Sequence, residues 1–351
     1  LDSTRFRLHC ARIFAEFAAL DTRPALSAGT RYPADPDALQ QALRDAFGPP
    51  HGPGLPAPSP TGSAPVQPRA LLAPTLDVSR AGPAYAWSYR PLLDAPQLPS
   101  IIVLLGCDHA AHDPLVTLTR KHLATPIGTL RTDTDLVDTL IADMKDRAPE
   151  LGELMTRDEA HHRGEHSLEL QAIWLRFILN FRRQAGLDAD APEPLILPIL
   201  VGPLHELAAN PPSRDGKLQP HQTTRILDEF CLTLQNRIGE RQKAGARVLW
   251  ICATDLAHVG PRFGDAEEVV DADRDSLEQR DRETFKPMLS GDAVGFLAEI
   301  RRERDRRHIY GLGALYLFLA AARPTGGKLR CYAQCAAEGG SYISLASALF
   351  Q

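Results

Sequence analysis

No two cysteines in this chain are spaced as C-x-x-C, and no apolar run approaches the roughly 18 to 20 residues that a membrane-crossing helix needs. The six cysteines (Cys10, Cys107, Cys231, Cys252, Cys331 and Cys335) are scattered over 351 residues. A chain of this length needs no disulfide framework, so they read as thiols in a reducing, cytoplasmic compartment, with Cys331 and Cys335 as packing residues. There is no excess of basic charge either. The formal net charge is -5, which argues against a nucleic-acid partner, since phosphate binders usually carry a basic face. The cluster "RRERDRRH" (301–308) interleaves acids with its arginines and reads as a solvated helix face. No G-x-G-x-x-G follows the first strand, and neither a phosphate-binding P-loop nor a G-x-S-x-G elbow is present. H-E-x-x-H is not formed by "HHRGEHSLELQ" (161–171), so a zincin is not indicated.

What is present is the composition of a globular protein, 44% hydrophobic and 24% charged. Residues 4–20 carry apolar residues at helical spacing. In 30–47, Asp35 suits an N-cap and Pro36 a first helical position, with Leu39, Leu43 and Phe47 on one face. Residues 48–69 are dominated by Pro, Gly and Ser and read as a loop. The expected organisation is a helical segment over 1–47, this loop over 48–69, and one α/β domain over 70–351.

Past the loop, apolar strands at 70–74, 101–106, 195–201 and 247–253 alternate with helices at about 81–92, 133–147, 166–184 and 218–242. Several helices follow within 266–322. Two closing strands, 328–335 and 341–350, flank a turn at "EGG". The alternation predicts a central, mostly parallel or mixed sheet with helices on both faces.

Three of these strands end in polar residues. "ALLAPTLD" (70–77) ends in Thr75 and Asp77. "IIVLLGCDHAAH" (101–112) ends in Asp108, His109 and His112. "VLWICATDLAHVG" (248–260) carries Asp255 and His258. Ligands of open α/β sheets bind beyond the carboxyl ends of the strands, which right-handed crossovers place on one edge. The expectation is one shared cleft. His109 and His258 are then a candidate metal-ligand pair, with Asp255 as ligand, orienter or general base. Glu165, His166 and Glu169 stand at a helix start, where acids are favoured, and Glu165 and Glu169 are spaced to share a face. Cys107 could serve as a thiolate, although a small buried thiol is the simpler reading.

"AGTRYPADPDAL", "GPAYAWSYR", "LLGCDHAAH", "TPIGTL", "HRGEHSLELQ", "LILPILVG" and "TDLAHVGPRFGD" occur in this order. Together, over about 28–348, they resemble the MEMO family, known in bacteria as AmmeMemoRadiSam system protein B. The opening "LDSTRF" looks like mid-chain sequence of longer members, so an N-terminal region is expected to precede it. The resemblance implies a fold like the class III extradiol dioxygenases and a strand-end pocket for a transition metal (iron, copper or zinc). It also implies radical-SAM and AMMECR-like protein partners. Of four ligand positions, two fall on His109 and His258. The other two fall on Thr75 and Tyr310, where the family pattern has His and Cys. Asp77, His112, Cys107, a Tyr310 phenolate, Asp255 or Glu165 could rebuild the site, with Glu165 and His166 lining it. The alternatives are a non-catalytic member with a degenerate site that binds a small molecule, peptide or partner, and a metal-free hydrolase or lyase using His258 and Asp255 as base and orienter.

Overall fold

The computed structural model describes residues 3–56, 67–111, 116–147, 149–204, 208 and 220–351. Among these residues the strands are β1 (Thr22–Arg23), β2 (Ala70–Ala73), β3 (Ile101–Cys107), β4 (Val116–Leu118), β5 (His122–Thr125), β6 (Gly128–Leu130), β7 (Leu195–Val201), β8 (Val248–Ala253), β9 (His258–Val259), β10 (Lys328–Ala337) and β11 (Ser341–Phe350). The helices are α1 (Thr4–Ala18), α2 (Pro36–Asp45), α3 (Val78–Asp94), α4 (Thr134–Arg147), α5 (Pro149–Arg157), α6 (His161–Gly164), α7 (Ser167–Gln184), α8 (Pro220–Lys243), α9 (Asp271–Ser290), α10 (Ala293–Arg302) and α11 (Leu312–Ala322).

The main sheet runs β10-β11-β2-β8-β3-β7-β4, with β9 beside β11. Its centre, β2-β8-β3-β7, is parallel, and its flanks are antiparallel. The strand residues alternate between two cores, as a period of two requires. Leu71, Ala73, Ile102, Leu104, Leu249 and Ile251 pack under α2, α3 and α7. Leu72, Val103, Leu105, Trp250 and Cys252 pack with α4, α8 and α11 on the opposite face. Strands covered on both faces must be apolar throughout, which is why these segments read as unbroken hydrophobic runs. The result is the expected α/β architecture, a mixed sheet between helical layers.

The aromatic side chains concentrate on the α3–α7 face. Fully buried Trp174 stacks on Tyr85 (5.3 Å between centroids) and Tyr89 (6.0 Å), with Phe47 edge-on at 5.8 Å. Phe47 and α2 therefore join the residues before 48 to the core of the main sheet. Asp35 caps α2 by accepting from Ala38 N at 2.8 Å. The small sheet β1-β5-β6, the short strands β4 and β9, and helices α5 and α6 have no counterpart in the sequence reading. Each is too short to show a period. Residues 57–66 of the Pro-rich stretch, His112, and residues 218–219 of the expected fourth helix lie outside the described residues. Among the described residues no helix is long and apolar enough to cross a membrane.

Candidate functional site

Strands β2, β8 and β3 are neighbours and parallel, so the segments that follow them emerge on one edge of the sheet. Thr75, Asp255 and His109 all lie just past those ends. The start of α7 is pressed onto β3 here. Ser167 Oγ donates to Cys107 O at 3.2 Å, and a Cβ on Gly106 would stand 2.5 Å from that same Oγ, so only glycine admits this approach.

Glu165 is the hub of the site. It is buried, and its carboxylate accepts from Ser167 N (2.8 Å) and from His109 N (3.1 Å). His109 Nδ1 lies 3.0–3.1 Å from both of its oxygens, and His166 Nδ1 lies 3.3 Å from Oε1. Burial alone would raise the Glu165 pKa, but the hydrogen bond and charge of His109 and the nearby His166 hold it well below the ordinary range. Burial likewise works to lower His109, and the Glu165 carboxylate outweighs it and raises the imidazole. His166 stacks on His109 at 4.9 Å between centroids, and desolvation drops its pKa to about 4.

His258 is oriented differently. Its Nδ1 faces the carbonyls of Leu256 (3.1 Å) and His308 (3.2 Å). A carbonyl can only accept, so Nδ1 carries the proton and Nε2 the free lone pair. Burial holds His258 neutral, with a pKa of about 4. Its ring lies 4.5 Å from that of Tyr310, and Tyr310 stands edge-on to His109 at 6.4 Å. Both histidines therefore flank the Tyr310 ring. Phe263 closes the side at 5.1 Å from His258.

Several expected roles change in this geometry. Asp255 does not orient His258. Its two oxygens accept from Thr75 N (2.9 Å) and Thr75 Oγ1 (2.7 Å), which ties the β2 and β8 ends together. That removes the His258–Asp255 dyad on which a metal-free hydrolase would depend. Asp77 is held by Arg31 (3.1 Å) and Arg80 (2.7 Å). Asp108 accepts from Ala110 N and Ala111 N and pairs with His161 at 2.8 Å, so it shapes the loop. Tyr310 stays a neutral phenol, because burial and the carboxylates of Asp305 and Asp265 raise its pKa. Cys107 is sealed beneath the site, and burial keeps its thiol protonated. Glu165 and Glu169 do not share a face. Glu169 turns inward, where it meets Arg23 (2.5 Å), Ser27 N (2.8 Å) and the Tyr32 hydroxyl.

Two positioning residues escaped the sequence reading. Arg23 is buried and donates to His162 O (2.5 Å) and Glu165 O (2.6 Å), fixing the backbone that carries the hub. Gln171 Nε2 donates to Pro74 O at 2.9 Å and so sets the residue before Thr75. Both act between segments far apart in sequence, and no local pattern announces them.

The donor set fits a transition metal in part. Nδ1 of both His109 and His258 is occupied by an acceptor, and among the described residues no protein group hydrogen-bonds either Nε2. Metal-ligating histidines are prepared in this way. His109, Glu165 and His166 also bring one ligand atom each within 4.8 Å of one another. Thr75 and Tyr310 add no strong donor for a borderline metal.

The fold and site define an α/β protein with a cluster of histidines beyond its strand ends. The sequence profile of the Memo-like protein family matches residues 23–210, more than half of the chain, and the chain belongs to that family. It is 24% identical to a MEMO1 family protein of Methanopyrus kandleri over 92% of this chain and 95% of that protein. A MEMO1 family protein of Ignicoccus hospitalis is 30% identical over 44% of this chain and 52% of its own length. One from Aquifex aeolicus is 23% identical over 87% of this chain and 66% of its own length.

Proposed function

We propose that the pocket is a mononuclear transition-metal site in altered form, taking iron, copper or zinc through Nε2 of His109 and His258. The observation that carries this reading is the hydrogen bonding of the two imidazoles through Nδ1, which leaves each Nε2 without a hydrogen-bond partner among the described residues. Glu165 would orient His109 and make it more basic. His166 would support the His109 ring by stacking, and the neutral Tyr310 ring would stand between the two imidazoles. A bound metal would polarise a substrate oxygen or support a redox step. The chain's own residues would fix the imidazoles, shield them with Phe263 and Tyr310, and tie the floor together through Thr75 and Asp255.

Metal analysis of protein purified without added metal, followed by a chelator-competition titration, tests this. Near-stoichiometric metal is expected, lost in His109→Ala and in His258→Ala. Glu165→Gln should weaken binding by about 10- to 100-fold, as for an orienting residue. Complete loss in Glu165→Gln and in His166→Ala, with His258→Ala unaffected, would instead make His109, Glu165 and His166 the ligands, a two-histidine, one-carboxylate set. Sub-stoichiometric metal that ignores the histidine variants would refute both.

Thr75 and Tyr310 favour a second reading, a non-catalytic pocket that binds a small molecule, a peptide, or the radical-SAM and AMMECR-like partners the resemblance implies. A pull-down with such partners that is indifferent to His109→Ala and His258→Ala, in metal-free protein, would support it.

A further inference from the structure

A cleft of about 370 Å³ opens at the opposite end of the sheet, where β2 begins and β11 ends. Pro53, Pro68, Pro91 and Leu349 make its apolar walls, and the backbone of Phe350 borders it. Trp87, from the third turn of α3, stands between them. Its Nε1 is spent on His51 O at 2.9 Å. The Arg330 guanidinium lies 5.2 Å from the centre of the Trp87 ring. A guanidinium held over an aromatic ring keeps N–H groups to offer an anion. Lys328, also exposed, lines the same cleft.

The charges here do not balance locally. Asp94 is paired with Arg90, which also donates to Gly54 O at 2.6 Å. Gln351 O accepts from Thr325 N (3.2 Å) and Thr325 Oγ1 (3.0 Å). Among the described residues no carboxylate lies within ion-pair distance of Lys328 or Arg330. Two cations with no carboxylate partner among the described residues, at the mouth of an apolar cleft, suit a ligand of mixed character. Small-molecule sites are of this size, mostly apolar, with a few placed polar groups.

We propose that this cleft binds a small amphiphilic anion, one phosphate or carboxylate on a flat apolar body. The body lies among Pro53, Pro91 and Leu349 beside Trp87, and the anionic group meets Arg330 and Lys328. The site is independent of the histidine pocket, which sits at the other ends of β2 and β8.

Intrinsic fluorescence reads it directly. Of the three tryptophans, Trp174 is fully buried and Trp250 nearly so, which leaves half-buried Trp87 as the reporter. Metal-free protein is titrated with phenyl phosphate, inorganic phosphate and benzyl alcohol, with calorimetry in parallel. Phenyl phosphate should bind saturably at one site, and Arg330→Gln or Lys328→Gln should each weaken it by roughly tenfold. Trp87→Phe should remove the optical signal while calorimetry still records heat, and His258→Ala should leave the affinity unchanged. Both cations are exposed, so their loss should not disturb folding, which circular dichroism checks. The proposal is overturned by any of three results: no saturable binding at millimolar phenyl phosphate, affinity indifferent to both cation variants, or inorganic phosphate binding as tightly as phenyl phosphate.

Discussion

Arg23→Met tests whether the hub of the site is held by a buried ion pair. The wild-type guanidinium is 2% exposed and meets a Glu169 carboxylate that is 0% exposed. It also donates to three carbonyls: His162 O at 2.5 Å, Glu165 O at 2.6 Å and Pro24 O at 3.0 Å. Methionine keeps most of the apolar stem but strands the carboxylate in a dry interior. Ser27 N and the Tyr32 hydroxyl remain to solvate it, and among the described residues no second cation is paired with it. Removing one partner of such a pair costs about 3–5 kcal/mol. That is a large share of a stability of order 5–15 kcal/mol. The melting temperature should fall by roughly 5–10 °C. Urea titration gives the free energy, and the double variant Arg23→Met/Glu169→Gln gives the coupling. Because the second change removes the stranded charge, the double variant should be more stable than Arg23→Met alone. A loss below about 1 kcal/mol in the single variant, or strictly additive losses in the pair, would refute the reasoning.

Three further outcomes follow from the same contacts. Burial lowers His162 from 6.5 to about 3, and its Nε2 donates to Thr117 O at 3.0 Å. The unfolded chain therefore binds the proton more readily, so stability should be full above about pH 6.5 and fall as the pH drops towards 3, by up to a few kcal/mol. His162→Gln should flatten that slope in urea titrations across pH, and an unchanged slope would count against the assignment. Thr75→His with Tyr310→Cys places strong donors at the two departing positions and should tighten zinc binding by at least about tenfold in a chelator competition; an unchanged affinity would mean that these positions do not face the metal. In Gly311→Ala the new Cβ would collide with Thr254 Oγ1. Overpacking of this kind should cost about 1–3 kcal/mol and shift the neighbouring Tyr310 ring, read by thermal melting and tyrosine fluorescence.

The strands that build the sheet were legible because each is covered on both faces. Ile101–Cys107 and Leu195–Val201 could not be buried without unbroken hydrophobicity. The polar tips at Thr75, His109 and His258 followed from strand order alone. The short antiparallel pieces, Val116–Leu118 and His122–Leu130, were not legible, since three or four residues of mixed polarity show no period. Roles within the site were less readable than its membership. Asp255 stands three residues before His258, yet it serves Thr75, 180 positions away, and His258 is oriented by backbone carbonyls that no side-chain pattern encodes. Arg23 and Gln171 act in the same way, across loops whose path only the fold defines.

The central claim concerns protons on two rings, and long-range proton–nitrogen NMR of the histidine side chains tests it most directly. In metal-free protein at mildly alkaline pH, His109 and His258 should both show the proton on Nδ1 and a bare Nε2. Both Nε2 resonances should shift together as zinc is added. A proton on Nε2 of either ring, or zinc shifts that bypass His258, would contradict the account.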